Sequence, residues 1–280
     1  FTKALRDLGL LKINEPVKNL FNQGMLNKDG EKMSKSKGNI VDPLDIVEKY
    51  SADTLRTYLL FLSAPEKDKE WDDESIDGIY RFLRKIYSFK NRVKSKSGKK
   101  DKIFESKLNK AVLEITDDMD NFRFNLAISK LMQLTNFIYN NRENLSLKIF
   151  EDSFRKILIM LSCFSPHLCE ELYKGGYVSI ARWPETEKNK INEKLENDEE
   201  QVEKLIEDIN HVAKLVKKEI KKCFIYVLPK EEKIYSEEIE TISKKTNLEV
   251  KISSVSDKEK YDPEKKSVKA KIGKPAIYLE

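Results

Sequence analysis

The chain has 280 residues, of which 36% are charged and 39% hydrophobic, with 13 Phe, 11 Tyr and 2 Trp. This length suits two or three domains, and the aromatic content excludes a wholly disordered chain. Both charge signs are abundant and the net charge is only +5, so composition alone does not indicate a nucleic-acid binder.

Cysteine and histidine are scarce and scattered. Three cysteines without a CxxC pair and two histidines predict neither a disulfide framework nor a metal site. No apolar stretch approaches the roughly 18 residues of a membrane span, and nothing resembles a signal peptide. We therefore expect a cytoplasmic protein without membrane contact. Because the chain starts with Phe1 inside a helix-like stretch, we also expect a trimmed or fragmentary polypeptide.

Residues 1–62 have the pattern of the end of an α/β domain. Residues 20–26 predict a short strand, and 27–30 predict a hairpin turn because Asp-Gly supplies positive φ angles. A polar loop follows, and Pro43 opens a helix at its favoured first position. A further helix over about 52–62 is apolar almost all round, so we expect it to be buried.

After a polar connector at 63–74, the pattern is helical from residue 75 to about 173. This indicates a bundle of four or five antiparallel helices. Two apolar stripes support it, one with Ile76, Ile79, Leu83 and Ile86 and the other with Leu126, Leu131, Leu134 and Ile138. Pro166 starts a short last helix, which the glycine pair at 175–176 is expected to end.

The last part of the chain predicts a small α+β domain. A helix over about 199–222 has its buried face at Val202, Leu205, Ile209, Val212, Val216 and Ile220. Strands are predicted at 223–228, 248–253 and 268–272, with a helix near 236–245. The predicted domains are 1–74, 75–185 and 186–280.

The loop at 32–39 carries the strongest chemical signal. Lys32, Lys35 and Lys37 are interspersed with hydroxyl side chains and followed by Gly38. Such a loop can bring ammonium groups and hydroxyl donors against a polyphosphate. The alternative is a solvated basic turn in a lysine-rich chain. However, the pentapeptide at 32–36 is expected by chance in only about one in a thousand such chains.

Residues 32–36 resemble the KMSKS signature of class I aminoacyl-tRNA synthetases and match it at all five positions. The flanking sequences resemble leucyl-tRNA synthetase, namely residues 15–18, 23–25, 29–31, 38–43, 52–56 and 64–71. Residues 125–128, 165–172 and 183–184 are similar to that family's helical bundle. The resemblance is strong over 1–185 and weaker beyond, where 274–278 is more similar to an archaeal-type C-terminal domain.

The resemblance implies a mixed fold: the tail of an α/β Rossmann-type catalytic domain, an α-helical bundle of the anticodon-binding type, and a small α+β domain. It also implies that leucine and ATP, with Mg²⁺, form leucyl-adenylate, from which leucine passes to tRNA(Leu). The implied ATP-binding residues are Lys32, Met33, Ser34, Lys35 and Ser36. Lys35, supported by Lys32, would be catalytic through transition-state electrostatics. Gly38 would allow the loop to close.

The family's second signature, a His-Ile-Gly-His-like tetrapeptide, is absent from this sequence, as are the first half of the catalytic domain and the editing domain. The resemblance therefore implies a partner, either an N-terminal catalytic half or a large subunit, and a chain that is inactive alone. Two alternatives stay open. One is a fragment of a methionyl or valyl synthetase, and the other is a non-catalytic tRNA-binding protein with the same fold.

Two basic stretches are candidates for tRNA contact. Residues 88–110 hold nine basic residues against two acidic ones, which fits either a solvated linker or a phosphate-contacting stretch. The lysine row at 214–222 has the same ambiguity, and the resemblance favours RNA there. The candidate contacts, which would position tRNA without reading its sequence, are Lys90, Arg92, Lys94, Lys214, Lys217, Lys218 and Lys221.

Two single residues near these motifs are expected to be structural. His167 is expected to be a core or cap residue, since the sequence offers it no carboxylate partner. Ser51 stands where the family has glycine, at what we expect to be a helix C-terminus, and is expected to cost a fraction of a kcal/mol.

Overall fold

The computed structural model describes residues 1–90, 98–215 and 220–280. The chain divides into two compact units, Phe1–Lys190 and Ile191–Glu280. The first unit opens with helix α1, a small three-stranded sheet and two further helices. Their bounds are α1 Thr2–Asp7, β1 Leu26–Lys28, β2 Glu31–Lys32, α2 Pro43–Lys49, α3 Ala52–Phe61 and β3 Lys69–Glu70.

The hairpin between β1 and β2 confirms the predicted turn. Asp29 and Gly30 have φ angles of 59° and 76°, the two positive values that a two-residue hairpin turn requires. The strand predicted over 20–26 is wrong, because β1 begins only at Leu26. The preceding backbone instead bonds to the connector, where the Gly24 N–H donates to the carbonyl of Pro65 at 2.8 Å.

Helices α2 and α3 start where the sequence predicts. Pro43 is the first residue of α2, and the Asp42 side chain caps it by accepting from the backbone of Leu44 at 2.8 Å. The buried face of α3 differs from the prediction. It consists of Asp53, Thr54, Thr57 and Tyr58, while its leucines are only half-buried. The face is polar because it makes hydrogen bonds to other parts of the first unit, as described below.

Five helices form the bundle in the described residues: α4 Ser75–Ser88, α5 Asp101–Asp120, α6 Phe124–Asn141, α7 Leu147–Leu161 and α8 Pro166–Leu172. Their core contains both predicted stripes except Leu126, which is 44% exposed. Tyr58 and Trp71 pack in the same core, with ring centroids 5.1 Å apart. The domain division at residue 74 stays a prediction, and one shared core spans it. Helix α8 ends before the predicted glycine pair, because Tyr173 is already extended.

The second unit contains α9 Glu193–Leu215, β4 Lys222–Val227, α10 Glu232–Glu237, α11 Ile239–Thr246, β5 Glu249–Ser254 and β6 Ala276–Leu279. Strand β4 lies centrally, parallel to β5 and antiparallel to β6. The buried residues Val202, Leu205 and Ile209 of α9 share a core with the sheet, whereas Val212 is 37% exposed. The helix predicted near 236–245 is two helices.

The third strand of the second unit is not the predicted one. Residues 268–272 were expected to be extended, but Lys266–Lys269 is a 3₁₀ helix and Ile272 is 85% exposed. The Asp262 carboxylate accepts from the backbone of Lys266 and Ser267 and thereby caps this turn. The alternation of lysine with apolar residues mimics a strand, and β6 follows the turn instead. No helix in the described ranges is long and apolar enough to cross a membrane.

Candidate functional site

The β1–β2 hairpin carries the lysine-rich loop and is attached to the connector. Strand β1 pairs with β2 in antiparallel register, Asn27 opposite Lys32, and with β3 in parallel register. At the hairpin tip, the Gly30 N–H donates to the Glu70 carboxylate at 2.9 Å. The loop that follows β2 therefore starts from a base fixed by a three-stranded sheet.

Gly24 allows the close approach of the two segments. A Cβ at this position would lie 2.1 Å from the backbone oxygen of Lys67. Beside it, the Met25 N–H donates to the Asp68 carboxylate at 2.8 Å. Only glycine fits here without a shift of backbone. The resemblance included residues 23–25, but the need for glycine at this position becomes visible only in the structure.

Asn39 connects the two ends of the loop. Its side-chain oxygen accepts from the Ser34 N–H at 2.9 Å, while its amide nitrogen donates to the carbonyls of Lys28 at 3.3 Å and Lys32 at 3.4 Å. The residue before it, Gly38, has a φ angle of 68°. Sequence reasoning missed the role of Asn39. The signal was present, since asparagine commonly satisfies nearby backbone groups in turns.

The loop leaves two of its three ammonium groups unpaired. Lys37 forms a salt bridge with Glu31 at 2.5 Å. Lys32 and Lys35 are exposed, and neither forms a salt bridge within residues 1–90, 98–215 and 220–280. Two unpaired ammonium groups on a short loop whose ends are joined by Asn39 can bind an external anion that has several oxygens.

The remaining loop side chains hold its shape. Met33 is half-buried and packs against the bundle core. The hydroxyl oxygens of Ser34 and Ser36 lie 3.2 Å apart, within hydrogen-bond distance. Of the loop residues predicted to bind ATP, Met33 thus anchors the loop on the core, and Ser34 and Ser36 form a hydroxyl pair. The remaining two, Lys32 and Lys35, are exposed cations.

Helix α3 links the loop-bearing segment to the bundle through hydrogen bonds. Toward the connector, the Tyr58 hydroxyl donates to the carbonyl of Asp72 at 2.8 Å and accepts from its N–H at 2.9 Å. Toward α8, the buried hydroxyls of Thr57 and Ser165 lie 2.7 Å apart. The Asp53 carboxylate, only 5% exposed, accepts from the Leu168 N–H at 2.7 Å.

The structure corrects the prediction for His167. Its side chain is 72% exposed, so it is not a core residue, and its Nδ1 lies 3.0 Å from Asp53 Oδ1. The same oxygen accepts from Arg56 at 3.0 Å. The sequence hid this carboxylate partner because Asp53 lies 114 residues earlier in the chain.

The candidate tRNA contacts are only partly described. Lys90 forms a salt bridge with Glu171 at 3.1 Å. Glu170, the residue before Glu171, instead accepts hydrogen bonds from two backbone N–H groups. Lys214 and Lys221 are exposed in the second unit. The other four, Arg92, Lys94, Lys217 and Lys218, lie outside the described residues. In the part of the chain that the structure describes, no three His, Cys, Asp or Glu side chains could hold a metal ion.

Two families match the chain. Residues 8–72, which include the hairpin and its loop, match the family of class I tRNA synthetases described for I, L, M and V. Residues 101–252 match the family described as the anticodon-binding domain of tRNA ligase. The second match covers more than half of the chain. The chain therefore belongs to the family of tRNA ligases that have this anticodon-binding domain.

Sequence relatives indicate which of the tRNA ligases the chain resembles. The chain is 41% identical to the leucine–tRNA ligase of Pseudothermotoga lettingae over 66% of its length, and 43% identical to that of Thermosipho melanesiensis over 68%. It spans about a quarter of those relatives, 25% of each. These relatives confirm the predicted resemblance to leucyl-tRNA synthetases.

A solved structure agrees with the sequence relatives. The LeuRS of Agrobacterium radiobacter, in a ternary complex with tRNA and LeuAMS, is 31% identical with a TM-score of 0.59. The match covers 70% of this chain and 27% of that one. The combination of a class I catalytic segment and a helical anticodon-binding domain is thus established, while the finer domain layout stays a prediction.

Proposed function

We propose that this chain supplies the ATP loop and tRNA-binding region of a leucine–tRNA ligase. In that reaction a leucine carboxylate oxygen attacks the α-phosphorus of ATP, the bond to the β-phosphate oxygen breaks, and pyrophosphate leaves. A hydroxyl at the tRNA 3′ end then attacks the activated carbonyl and displaces AMP. The observation that carries this proposal is the pair of unpaired ammonium groups, Lys32 and Lys35, on the loop whose ends are joined by Asn39.

Lys35, with Lys32 in support, is the proposed catalytic pair. Negative charge grows on the phosphate oxygens as the first step proceeds, and fixed ammonium groups stabilise it more in the transition state than in the ground state. The lysines act by electrostatics and transfer no proton. Mg²⁺ would be held chiefly by the ATP phosphates, as is usual for this ion.

For catalysis the loop would change position without losing its shape. Gly38 has the left-handed conformation that glycine adopts without strain, and the Asn39 contacts tie both loop ends together. Ser34 and Ser36 are the proposed ATP-binding hydroxyls. The loop would close over the triphosphate as one piece, with Met33 as its anchor.

The proposed partner is the remaining part of the catalytic domain, with the His-Ile-Gly-His-like signature and the editing domain. The family resemblance supports this, as does the chain's span of about a quarter of its relatives. We expect the isolated chain to form no leucyl-adenylate. Leucine-dependent pyrophosphate exchange by the chain alone would contradict this part of the proposal.

Two other functions were open from the sequence. The leucine–tRNA ligase relatives, at about 40% identity, favour leucine over methionine or valine. A non-catalytic tRNA-binding protein would retain the bundle but would not depend on its loop lysines. The same mutations therefore separate it from the proposed ligase.

The test uses Lys32→Ala and Lys35→Ala in the complete assembly that contains this chain. Each is expected to slow leucine-dependent pyrophosphate exchange by about 10²-fold or more, the effect of removing a transition-state contact. Lys37→Ala is the matched control. Its ammonium group is already neutralised by Glu31, so a loss of only a few-fold is expected. Unchanged exchange in the Lys32 and Lys35 variants would favour the non-catalytic alternative.

A further inference from the structure

Three tyrosines line one face of the first unit. Tyr50 follows α2, and Tyr80 and Tyr87 lie two turns apart on α4. The rings of Tyr50 and Tyr80 meet edge to face, with centroids 5.5 Å apart. Tyr87 is 41% exposed and the other two are half-buried. We refer to these three residues as the tyrosine row.

Every ring of the tyrosine row has a cation over it. The Lys49 ammonium lies 4.7 Å from the Tyr50 centroid, and the Lys90 ammonium lies 5.3 Å from the Tyr87 centroid. The Arg84 guanidinium is 5.8 Å from the ring of Tyr80 and donates to its hydroxyl at 3.3 Å. Cation–ring pairs of this kind hold the positive charges along the row.

The row borders a cavity of about 400 Å³ at the junction of α3, α4 and α8. Tyr80, Arg84 and Tyr87 line one side of it, and His167 and Glu171 line another. This volume lies in the range of sites that take small organic groups. It is large enough for one nucleotide of a longer chain.

The positive charge at this face is only partly neutralised. The two carboxylates at the cavity are already engaged, Asp53 by Arg56 and the Leu168 N–H, and Glu171 by Lys90. By contrast, neither Arg84 nor Lys49 forms a salt bridge within the ranges that the structure describes, although the charges of Asp77 and Asp73 act on Lys49. A ligand that supplies negative charge and planar or sugar groups would complement such a face.

We propose that the tyrosine row and its cavity bind the ribose-phosphate backbone of tRNA; this inference rests on the proposed function. Arg84 and Lys49 contact phosphates, while the exposed edges of the rings pack on riboses or an unstacked base. The predicted contact Lys90 belongs to this surface. The strongest new contact is Arg84, because it lies at the centre of the row without an ionic partner.

The test measures the affinity of this chain for fluorescently labelled tRNA(Leu) as NaCl rises from 50 to 300 mM, about the range where phosphate contacts dominate. Arg84→Gln is expected to weaken binding about 5–10-fold at 0.1 M salt and to reduce the slope of log K against log salt by about 1. Tyr87→Leu is expected to weaken binding about fivefold or more while leaving the slope unchanged.

Arg155→Gln is the matched control. Arg155 is an exposed arginine of the same unit, but its charge is paired with Asp152 at 3.3 Å. Its replacement is expected to change neither affinity nor slope. Thermal melting of each variant checks that the fold is intact, and all three substituted side chains are exposed enough to leave the core unaffected.

The outcomes separate this proposal from the proposed function. If the unmodified chain binds tRNA with a steep salt dependence but Arg84→Gln and Tyr87→Leu bind equally well, the surface is wrong and the ligase proposal stands. If Arg155→Gln lowers the slope as much as Arg84→Gln, the surface is also wrong. If the unmodified chain shows no salt-dependent tRNA binding, both proposals fail.

Discussion

The first fifty residues and the five-helix bundle maintain their structures in different ways. None of the first fifty residues is buried, although Leu8, Leu20 and Leu44 are large apolar residues and each is more than 70% exposed. In the bundle, helices such as α6 bury a continuous apolar face. The loop segment is shaped by hydrogen bonds and close backbone contact, the bundle by packing.

This difference shows which region depends on its surroundings. A segment without buried side chains gains little free energy from its own folding and can open locally. The same segment bears the candidate catalytic loop, and its exposed apolar residues are available to the proposed catalytic partner. The bundle needs no such partner for its core.

The largest expected effect is on the free energy of unfolding, and it tests the difference between a buried leucine of the bundle and an exposed leucine of the first fifty residues. Leu131→Ala, in the buried face of α6, is expected to lower the free energy of unfolding by about 2–5 kcal/mol, since it removes packed methyl groups and leaves a cavity. Leu44→Ala, on the exposed side of α2, is expected to change it by less than about 0.5 kcal/mol. Urea unfolding of both variants measures the difference, and equal effects would contradict the comparison.

The second prediction concerns backbone contact in the loop segment. Gly24→Ala places a Cβ against the Lys67 carbonyl and is expected to cost about 1–3 kcal/mol. Because the segment can open locally, the loss should appear in amide hydrogen exchange. The Trp71 N–H, which donates to the carbonyl of Asn27, is expected to exchange faster.

Gly78→Ala is the control for this glycine. Gly78 lies inside α4, and a Cβ there meets no atom within 4 Å. The substitution is expected to stabilise by about 0.5–1 kcal/mol, because alanine is the better helix former. A neutral Gly24→Ala beside a stabilising Gly78→Ala would show that the connector contact does not position the hairpin.

The third prediction concerns the junction between the two regions. Ser51 directly follows Tyr50, the C-cap of α2, as the sequence predicted, and it is also the N-cap of α3; its φ of 148° and ψ of 161° lie in a region that strongly favours glycine. Ser51→Gly is expected to stabilise by about 1 kcal/mol, because relief of strain outweighs a small loss of capping. Ser51→Ala keeps the strain and loses the cap, so thermal melting should show it about 1 kcal/mol less stable.

The smallest expected effect is pH-dependent and lies in the bundle. The backbone N–H of Val178, joined by that of Ser179, holds the pKa of Glu170 below its ordinary value, although burial opposes this. A lowered folded-state pKa stabilises above the unfolded pKa, about 4.3, and this contribution is lost as pH falls. Glu170→Gln should therefore be less stable at pH 7, with the difference shrinking below pH about 4. A pH-independent difference would contradict this cause.

The sequence predicted the parts of the fold that local chemistry determines. Asp29-Gly30 specified the hairpin, Pro43 the start of α2, and the stripe beginning at Ile76 the buried face of α4. Contacts between distant parts of the chain could not be predicted from the sequence. The partnership of Asp53 with His167 joins distant segments, and the lysine-rich alternation before Gly273 mimicked a strand that is a turn.

The same distinction applies to the candidate site, where the local motif could be predicted and the contacts made by folding could not. The motif identified Lys32 and Lys35 from residue types and spacing alone. It did not show that Lys37 is neutralised by Glu31 or that Asn39 joins the loop ends, because both depend on how the hairpin folds back. Local motifs thus indicate which groups are present, and the fold decides which of them are free to act.

The central claim is that the unpaired loop lysines act on the phosphates of ATP. A structure of the complete assembly with a non-hydrolysable ATP analogue and leucine tests it most directly. We predict that Nζ of Lys35 lies about 2.7–2.9 Å from a phosphate oxygen, the distance of a charge-assisted hydrogen bond, with Lys32 on the same phosphates. If both ammonium groups lie beyond about 6 Å in every loop position, too far for strong charge interaction, the claim is wrong.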